Sequence, residues 1–160
     1  MNRSSTTTIA IERTIGSDRF LLVLVSALFI GYALWRLHIV GVNFTDSEPV
    51  GLYLVGRSTP IVGRMVILRP LFKHVRGKPG DVLAWTPHGV LINNQPVLNS
   101  APPKDTHGYR LQPFGTYRLA PGQYWLMGTG SDSWDSRFAG PFPWDSIAAQ
   151  VYPLWTWRNR

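Results

Sequence analysis

The sequence predicts a mainly β domain carried behind a single N-terminal transmembrane helix. Three observations lead there. Residues 20–35, FLLVLVSALFIGYALW, hold no charge and are bounded by Arg19 and Arg36. Beyond them, short apolar runs are broken by turn-forming residues in a chain with 15 Gly and 13 Pro, and frequent turns between short strands suit an all-β domain. No stretch after residue 42 shows the sustained 3.6-residue apolar period of an amphipathic helix.

The elements follow in order. Residues 1–18 are polar and rich in Ser and Thr, which predicts a disordered N-terminus. Residues 19–41 are expected to be the anchor. The uncharged run falls a little short of the ~20 residues that cross a bilayer. Arg36 can snorkel to the interface, and apolar character resumes at Leu37–Val42. A core helix would carry a polar stripe, and none is present. A cleaved signal peptide would need a small-x-small site after the run, which ends instead in WRLHIVGVNF. Arg3, Arg13 and Arg19 precede the run, whereas Arg36 is soon followed by Asp46 and Glu48. The positive-inside rule then places the N-terminus in the cytoplasm and residues 42–160 outside.

In that outer segment Leu52–Val55, Met65–Leu68, Val82–Trp85, Val90–Ile92 and Pro96–Leu98 read as strands, and Ser146–Tyr152 as a last one. VLI-NNQ-PVL predicts a hairpin turning at Asn93 and Asn94, and YRLA-PG-QYWLM another turning at Pro121 and Gly122. No internal repeat or second domain boundary is visible.

Composition narrows the chemistry. The absence of cysteine removes disulfides, thiol catalysis and cysteine-bound zinc. The four histidines lack the paired spacing of a metal site and single none of themselves out for a Ser-His-Asp triad; no metal or other cofactor is expected. The net charge is +7, and between Glu48 and Asp81 the chain carries Arg57, Arg64, Arg69, Lys73, Arg76 and Lys78 with no acid. On an anchored chain an anionic lipid surface is the nearer partner for such a run, and nucleic acid is not expected. Five of the seven Trp lie from residue 125 onward, and Trp155 and Trp157 suit either a lipid interface or a scaffolding contact.

Three stretches carry candidate chemistry. In NFTDSEPVGLY (43–53), Ser47 sits at most 12 residues beyond Trp35, within ~40 Å of a bilayer even if the tether is extended. In FKHVRGKPGDV (72–82), Lys73 lies near the end of a strand-like run before a Pro-Gly-Asp turn. Leu71, Phe72 and Val75 are positioned to cover its ammonium, and burial lowers a lysine pKa until the amine can accept a proton from a serine. In GSDSWDSRFAGP (130–141), Asp132, Asp135 and Arg137 stand among small residues, with Asp135 and Arg137 on one side of an extended segment, where they can pair.

Taken in order, these stretches resemble the type I signal peptidases of the Ser/Lys (S26) family, and within it the TraF-type peptidases of conjugative transfer. Asn43-x-Thr45-x-Ser47-x-Pro49-x-Gly51-Leu52-Tyr53 is similar to the nucleophile motif of the conjugative branch. Lys73-x-Val75-x-Gly77-x-Pro79-Gly80-Asp81 is similar to the general-base motif, and Gly89-Val90, Ile92-Asn93 and Pro96-Val97 to the hairpin after it. Ser133-x-Asp135-Ser136-Arg137 with Gly140-Pro141 resembles the third motif, and Pro153–Trp157 the TraF-like close.

The resemblance covers about residue 20 onward. It implies a mostly antiparallel β catalytic domain at the outer face of a bacterial inner membrane, and cleavage of signal-peptide-bearing preproteins. It further implies that Ser47 is the nucleophile and Lys73 the general base. Thr45 and the Ser47 N–H would serve the oxyanion. Ser133 would orient the lysine, and Asp135 and Arg137 would hold the third loop. A TraF-like enzyme would mature, and in some cases cyclise, a conjugative pilin precursor; a generalist would cut many preproteins. This chain departs from the resembled pattern at Glu48, where methionine is common, at His74 in place of an arginine, and at Phe138-Ala139 in place of two large aromatics.

Overall fold

A computed structural model describes residues 5–37, 39–45, 47–56, 58–68, 71–104, 106–131 and 133–158, with side chains described from residue 18 to residue 157. His38, Asp46, Arg57, Arg69 and Asp132 lie outside the described residues. The chain forms two units, residues 1–39 and 40–160.

The first unit is one helix, α1 (Ser5–Arg36). Its segment Asp18–Arg36 is long and apolar enough to cross a membrane, and none of it is buried. The helix begins inside the segment expected to be disordered. Once an apolar run has nucleated a helix, extension by further residues costs little. At the other end, Arg36 closes the helix, and the expected anchor boundary at residue 41 is replaced by a strand, β1 (Val40–Asn43). The β-branched Val40 and Val42 pair across to Leu54 and Leu52, and the ladder takes the place of further helix.

The second unit is built from two antiparallel sheets. The larger contains β1, β2 (Val50–Gly56), β3 (Met65–Leu68), β4 (Leu71–Gly77), β9 (Gln123–Met127), β10 (Phe142–Pro143) and β11 (Ile147–Arg158). Its spatial order is β1-β2-β11-β3-β4-β9-β10. The smaller holds β5 (Val82–Thr86), β6 (Gly89–Ile92), β7 (Gln95–Pro96) and β8 (Gly115–Arg118) in the order β7-β6-β5-β8. Lys78-Pro79-Gly80-Asp81 joins them. Asp81 N–H returns to the Lys78 carbonyl at 3.1 Å, Pro79 sits at the second position, and Gly80 takes the φ of +91° that a type II turn demands.

The side-chain alternation of β9 ties the layers together. Trp125 and Met127 pack with Leu83, Trp85, Val90 and Leu119 of the small-sheet side. Tyr124 and Leu126 enter a different cluster with Val66, Leu68 and Val75. A third cluster, Tyr53, Met65, Phe72 and Val151, fills the β2–β4 region. Neighbouring strand residues point to opposite faces, so one strand feeds two cores.

The hairpin at Asn93 and Asn94 forms as expected. Ile92 pairs with Gln95, and both asparagines have positive φ, 49° and 65°, as a two-residue hairpin turn requires. The second expected hairpin does not form. β8 pairs with β5 and β9 pairs with β4, so Leu119–Gly122 carries the chain from one sheet to the other. Turn chemistry around Pro121-Gly122 permits either outcome; cross-strand partners already in place decide it. The last strand runs to Arg158 rather than ending at Tyr152, and Trp144–Ser146 is a 3-10 turn.

Candidate active site

Lys73 is the third residue of β4, inside the strand and not near the end of a run, and it pairs in register with Val66 of β3. It is 1% exposed. Phe72 points to the opposite face, where it packs edge-on against Tyr53 with ring centroids 4.9 Å apart. Val75 on its own strand and Val66 across the ladder share the Lys73 face. The ammonium donates to Ser133 Oγ at 2.5 Å. Burial pushes its pKa below the ordinary 10.5; Asp135 and Glu48 pull it back up, and Arg137 reinforces the lowering.

Ser47 lies in the turn that joins β1 to β2. Asn43, buried at the end of β1, organises this turn. Its Nδ2 donates to the carbonyls of Thr45, Glu48 and Pro49 at 3.2, 2.9 and 3.1 Å. Its Oδ1 accepts from the Thr45 N–H and hydroxyl at 3.1 and 2.7 Å. Because the Thr45 hydroxyl proton goes to Asn43, the 3.1 Å contact between the Thr45 and Ser47 hydroxyls is donated by Ser47. In this state Thr45 has no free proton to offer an oxyanion. Among the described residues no direct Ser47–Lys73 hydrogen bond is formed. Thr129, the residue after Gly128, holds the Ser47 turn, its N–H and hydroxyl both donating to the Ser47 carbonyl at 3.0 and 2.9 Å.

The third stretch is not extended. Asp135 caps a short helix, α2 (Ser136–Ala139), by accepting from the Arg137 N–H at 3.0 Å. A carboxylate that caps the first turn draws the chain into helix, which ends any extended path. Asp135 and Arg137 still meet, by a fork of Nε to Oδ1 at 2.9 Å and an Nη to Oδ2 at 2.8 Å. Both are fully buried. The remaining guanidinium protons reach the carbonyls of Ala101, Gly130 and Ser133. Asp135 Oδ2 also accepts from the Gly128 N–H at 3.0 Å. The pair therefore staples both sides of the loop that carries Ser133.

Asn43, Gly128 and Ser136 have site roles that their residue types did not announce. Ser136 Oγ receives the Leu126 N–H at 2.8 Å, and Gly128 leaves the gap into which Ser133 fits. An asparagine at a strand end is a common turn former, which is the one legible signal among the three. Of the histidines, His74 pairs with Glu48 at 3.1 Å, and His88 lies in the β5–β6 turn, its N–H held by Thr86 Oγ1. No described cluster of His, Asp or Glu forms a metal-binding group.

A buried amine with a lowered proton affinity, bonded to one hydroxyl and close in the fold to a turn bearing another, is suited to proton abstraction from an alcohol. The family model described as signal peptidase, peptidase S26, matches residues 14–156. Among solved structures, a signal peptidase I from Enterococcus faecalis is similar at 16% identity, with a TM-score of 0.39, covering 59% of this chain and 97% of that one. No curated protein matches the chain.

Proposed function

The chain belongs to the signal peptidase family, peptidase S26, and from that premise we propose that it cleaves preproteins with Ser47 as nucleophile and Lys73 as general base. Family membership makes it a serine peptidase acting on signal-peptide-bearing preproteins. That membership and the exposed apolar helix fit a membrane-anchored protein. The observation that carries the residue assignment is Lys73 itself: a lysine 1% exposed inside a strand and, among the described residues, bonded to Ser133 rather than to an acid. A fold gains no stability from such a burial, and a base active near neutral pH needs it.

In the proposed cycle, neutral Lys73 takes the Ser47 hydroxyl proton as Oγ bonds to the scissile carbonyl carbon. The oxyanion is held by the Ser47 N–H, and by Thr45 once its hydroxyl turns from Asn43. Collapse breaks the C–N bond, and the Lys73 ammonium protonates the leaving amine. Water, deprotonated by Lys73, then attacks the acyl carbon, and the bond to Ser47 Oγ breaks as the Lys73 ammonium returns its proton to Oγ. Ser133 keeps the amine in line, and Asp135 and Arg137 keep Ser133 in place.

Cleavage of a preprotein in detergent tests this. Ser47→Ala and Lys73→Arg should both abolish turnover, because arginine keeps the charge but cannot accept a proton. Replacing His88 and His107 together by glutamine should leave it intact. Near-normal turnover by Lys73→Arg would overturn the dyad. A purely scaffolding domain would lose nothing with Ser47→Ala.

The motif resemblance of residues 43–53 and 153–157 supports a narrower substrate, the precursor of a conjugative pilin, and transfer genes beside its own would support it further; an isolated locus would favour a generalist. The charge balance around α1 supports a cytoplasmic N-terminus, with residues 42–160 on the outer side of the inner membrane. A reporter fused after Arg160 should then be active only when exported. Leu154, Trp155 and Trp157 are exposed on β11, and with the basic run they suit an anionic lipid interface.

A further inference from the structure

Glu48 and His74 are sequence neighbours of the proposed nucleophile and base. The structure brings them into contact, His74 Nε2 lying 3.1 Å from Glu48 Oε2. The Glu48 side chain is fully buried, and that of His74 is 20% exposed. The same carboxylate accepts from the Thr129 N–H at 3.2 Å and from its hydroxyl at 3.3 Å. One buried carboxylate thus joins three segments: the turn that presents Ser47, the strand that carries Lys73, and the residue that follows Gly128. Successive residues of β4 point to opposite faces, so the pair grips the strand from the face opposite Lys73.

We infer that Glu48 and His74 are positioning residues: through their buried contact they hold the Ser47 turn to β4 and set the pH at which Lys73 serves as base. This rests on the Ser47/Lys73 reading above. The Glu48 carboxylate favours the protonated form of Lys73, and a hydrogen bond donated to that carboxylate offsets the effect. β3 and β9, which flank β4, carry no Asp, Glu, Lys, Arg or His, and their one phenol, Tyr124, lies in the β3–β4–β9 core. Asp135 and Arg137 reach Lys73 from the third loop but are locked to each other. On the Glu48 side, among the described residues, Arg76 shares the His74 face of β4, and Tyr53 is ionisable as well. Its hydroxyl donates to the Pro49 carbonyl at 2.6 Å, and burial, then Glu48, raises its pKa.

The test is the pH profile of kcat/KM for preprotein cleavage by the full chain in detergent. Activity should rise with pH as Lys73 loses its proton. Glu48→Gln keeps an acceptor for Thr129 and removes the charge, so the acid limb should move down by about half a unit to one unit. That is roughly a 3- to 10-fold gain at a fixed pH on the limb. His74→Gln removes the imidazole that contacts the carboxylate and should move the limb up. Glu48→Gln with His74→Gln should fall between. A lower plateau with an unmoved limb in either single variant would reduce the pair to a structural contact and overturn the inference. Thermal unfolding of each variant separates misfolding from a site effect, and Glu48→Met supplies a second charge-free variant if Glu48→Gln does not fold. Lys73→Arg run alongside distinguishes the two failures: turnover retained there sinks the dyad, whereas a dead Lys73→Arg with an unmoved Glu48→Gln limb sinks only the pair.

Discussion

A Cβ built on Gly128 would lie 2.2 Å from Ser133 Oγ and 3.3 Å from Lys73 Nζ, so the site is shaped as much by a missing side chain as by those present. Gly128→Ala must push Ser133 away from the amine, and displacement of a positioning group by about 1 Å typically lowers a rate by about 10²-fold. We expect kcat to fall by that order while KM changes little, as measured by preprotein cleavage; a KM effect with intact kcat would mean that Ser133 does not orient the base. Asn43 is the counterpart at the nucleophile. Both polar atoms of its side chain are engaged within the 43–49 turn, and Asn43→Ala would take a donor from the buried Glu48 carbonyl and from the part-buried carbonyls of Thr45 and Pro49. A loss of about 2–4 kcal/mol is expected, read as a lower unfolding midpoint, with turnover reduced further because the Ser47 turn loses its form. A variant of wild-type stability would show that water can replace the amide.

Among the elements, the short α2 and the loop before it depend on one fork of charge. Arg137→Lys keeps the sign but not the bidentate geometry or the bonds to Ala101, Gly130 and Ser133. Asp135 would then be a buried carboxylate with a poor partner, and breaking such a pair typically costs about 3–5 kcal/mol. Thermal unfolding should show that loss, and turnover should fall with it. What the sequence made legible differs from element to element for physical reasons. β2, β3, β5 and β6 were readable because runs such as MVIL and VLAW are rich in residues that fit a pleated surface. β1 was hidden because its valines continue the apolar character of the anchor, and only pairing with β2 distinguishes strand from helix there. β8 and β9 looked like one hairpin because the Pro-Gly turn is local, whereas the partners that separate them, β5 and β4, lie tens of residues away. At the site, Ser47, Lys73 and the Asp135–Arg137 pair stood in ordered motifs. The Glu48–His74 contact did not, since two departures from a pattern 26 positions apart in sequence carry no sign that they touch.

For the molecule as a whole, Lys73 sets function against stability. Its amine sits in a core built by β3, β4 and β9, and among the described residues no carboxylate forms an ion pair with it. Burial lowers its pKa below 10.5 in the folded chain, whereas in the unfolded chain it keeps its proton up to about that pH. Between those two values the unfolded state binds more protons, so the unfolding free energy contributed by this group rises with pH. At neutral pH the folded state is therefore at a disadvantage, and the disadvantage fades as pH climbs toward 10.5. Lys73→Met fills a similar volume with no charge and should be inactive yet more stable at pH 7. The expected gain is on the order of 1 kcal/mol, typical when an active-site conflict is relieved, less whatever is lost with the Ser133 hydrogen bond. The difference in unfolding midpoint between Lys73→Met and the wild type, followed from pH 6 to pH 10, should be largest at the acid end and smallest at the alkaline end. Other titrating groups are common to both proteins and cancel in that difference. A gap that is constant across the range would mean that Lys73 has the same proton affinity folded and unfolded, and a lysine of ordinary basicity could not serve as the base at neutral pH.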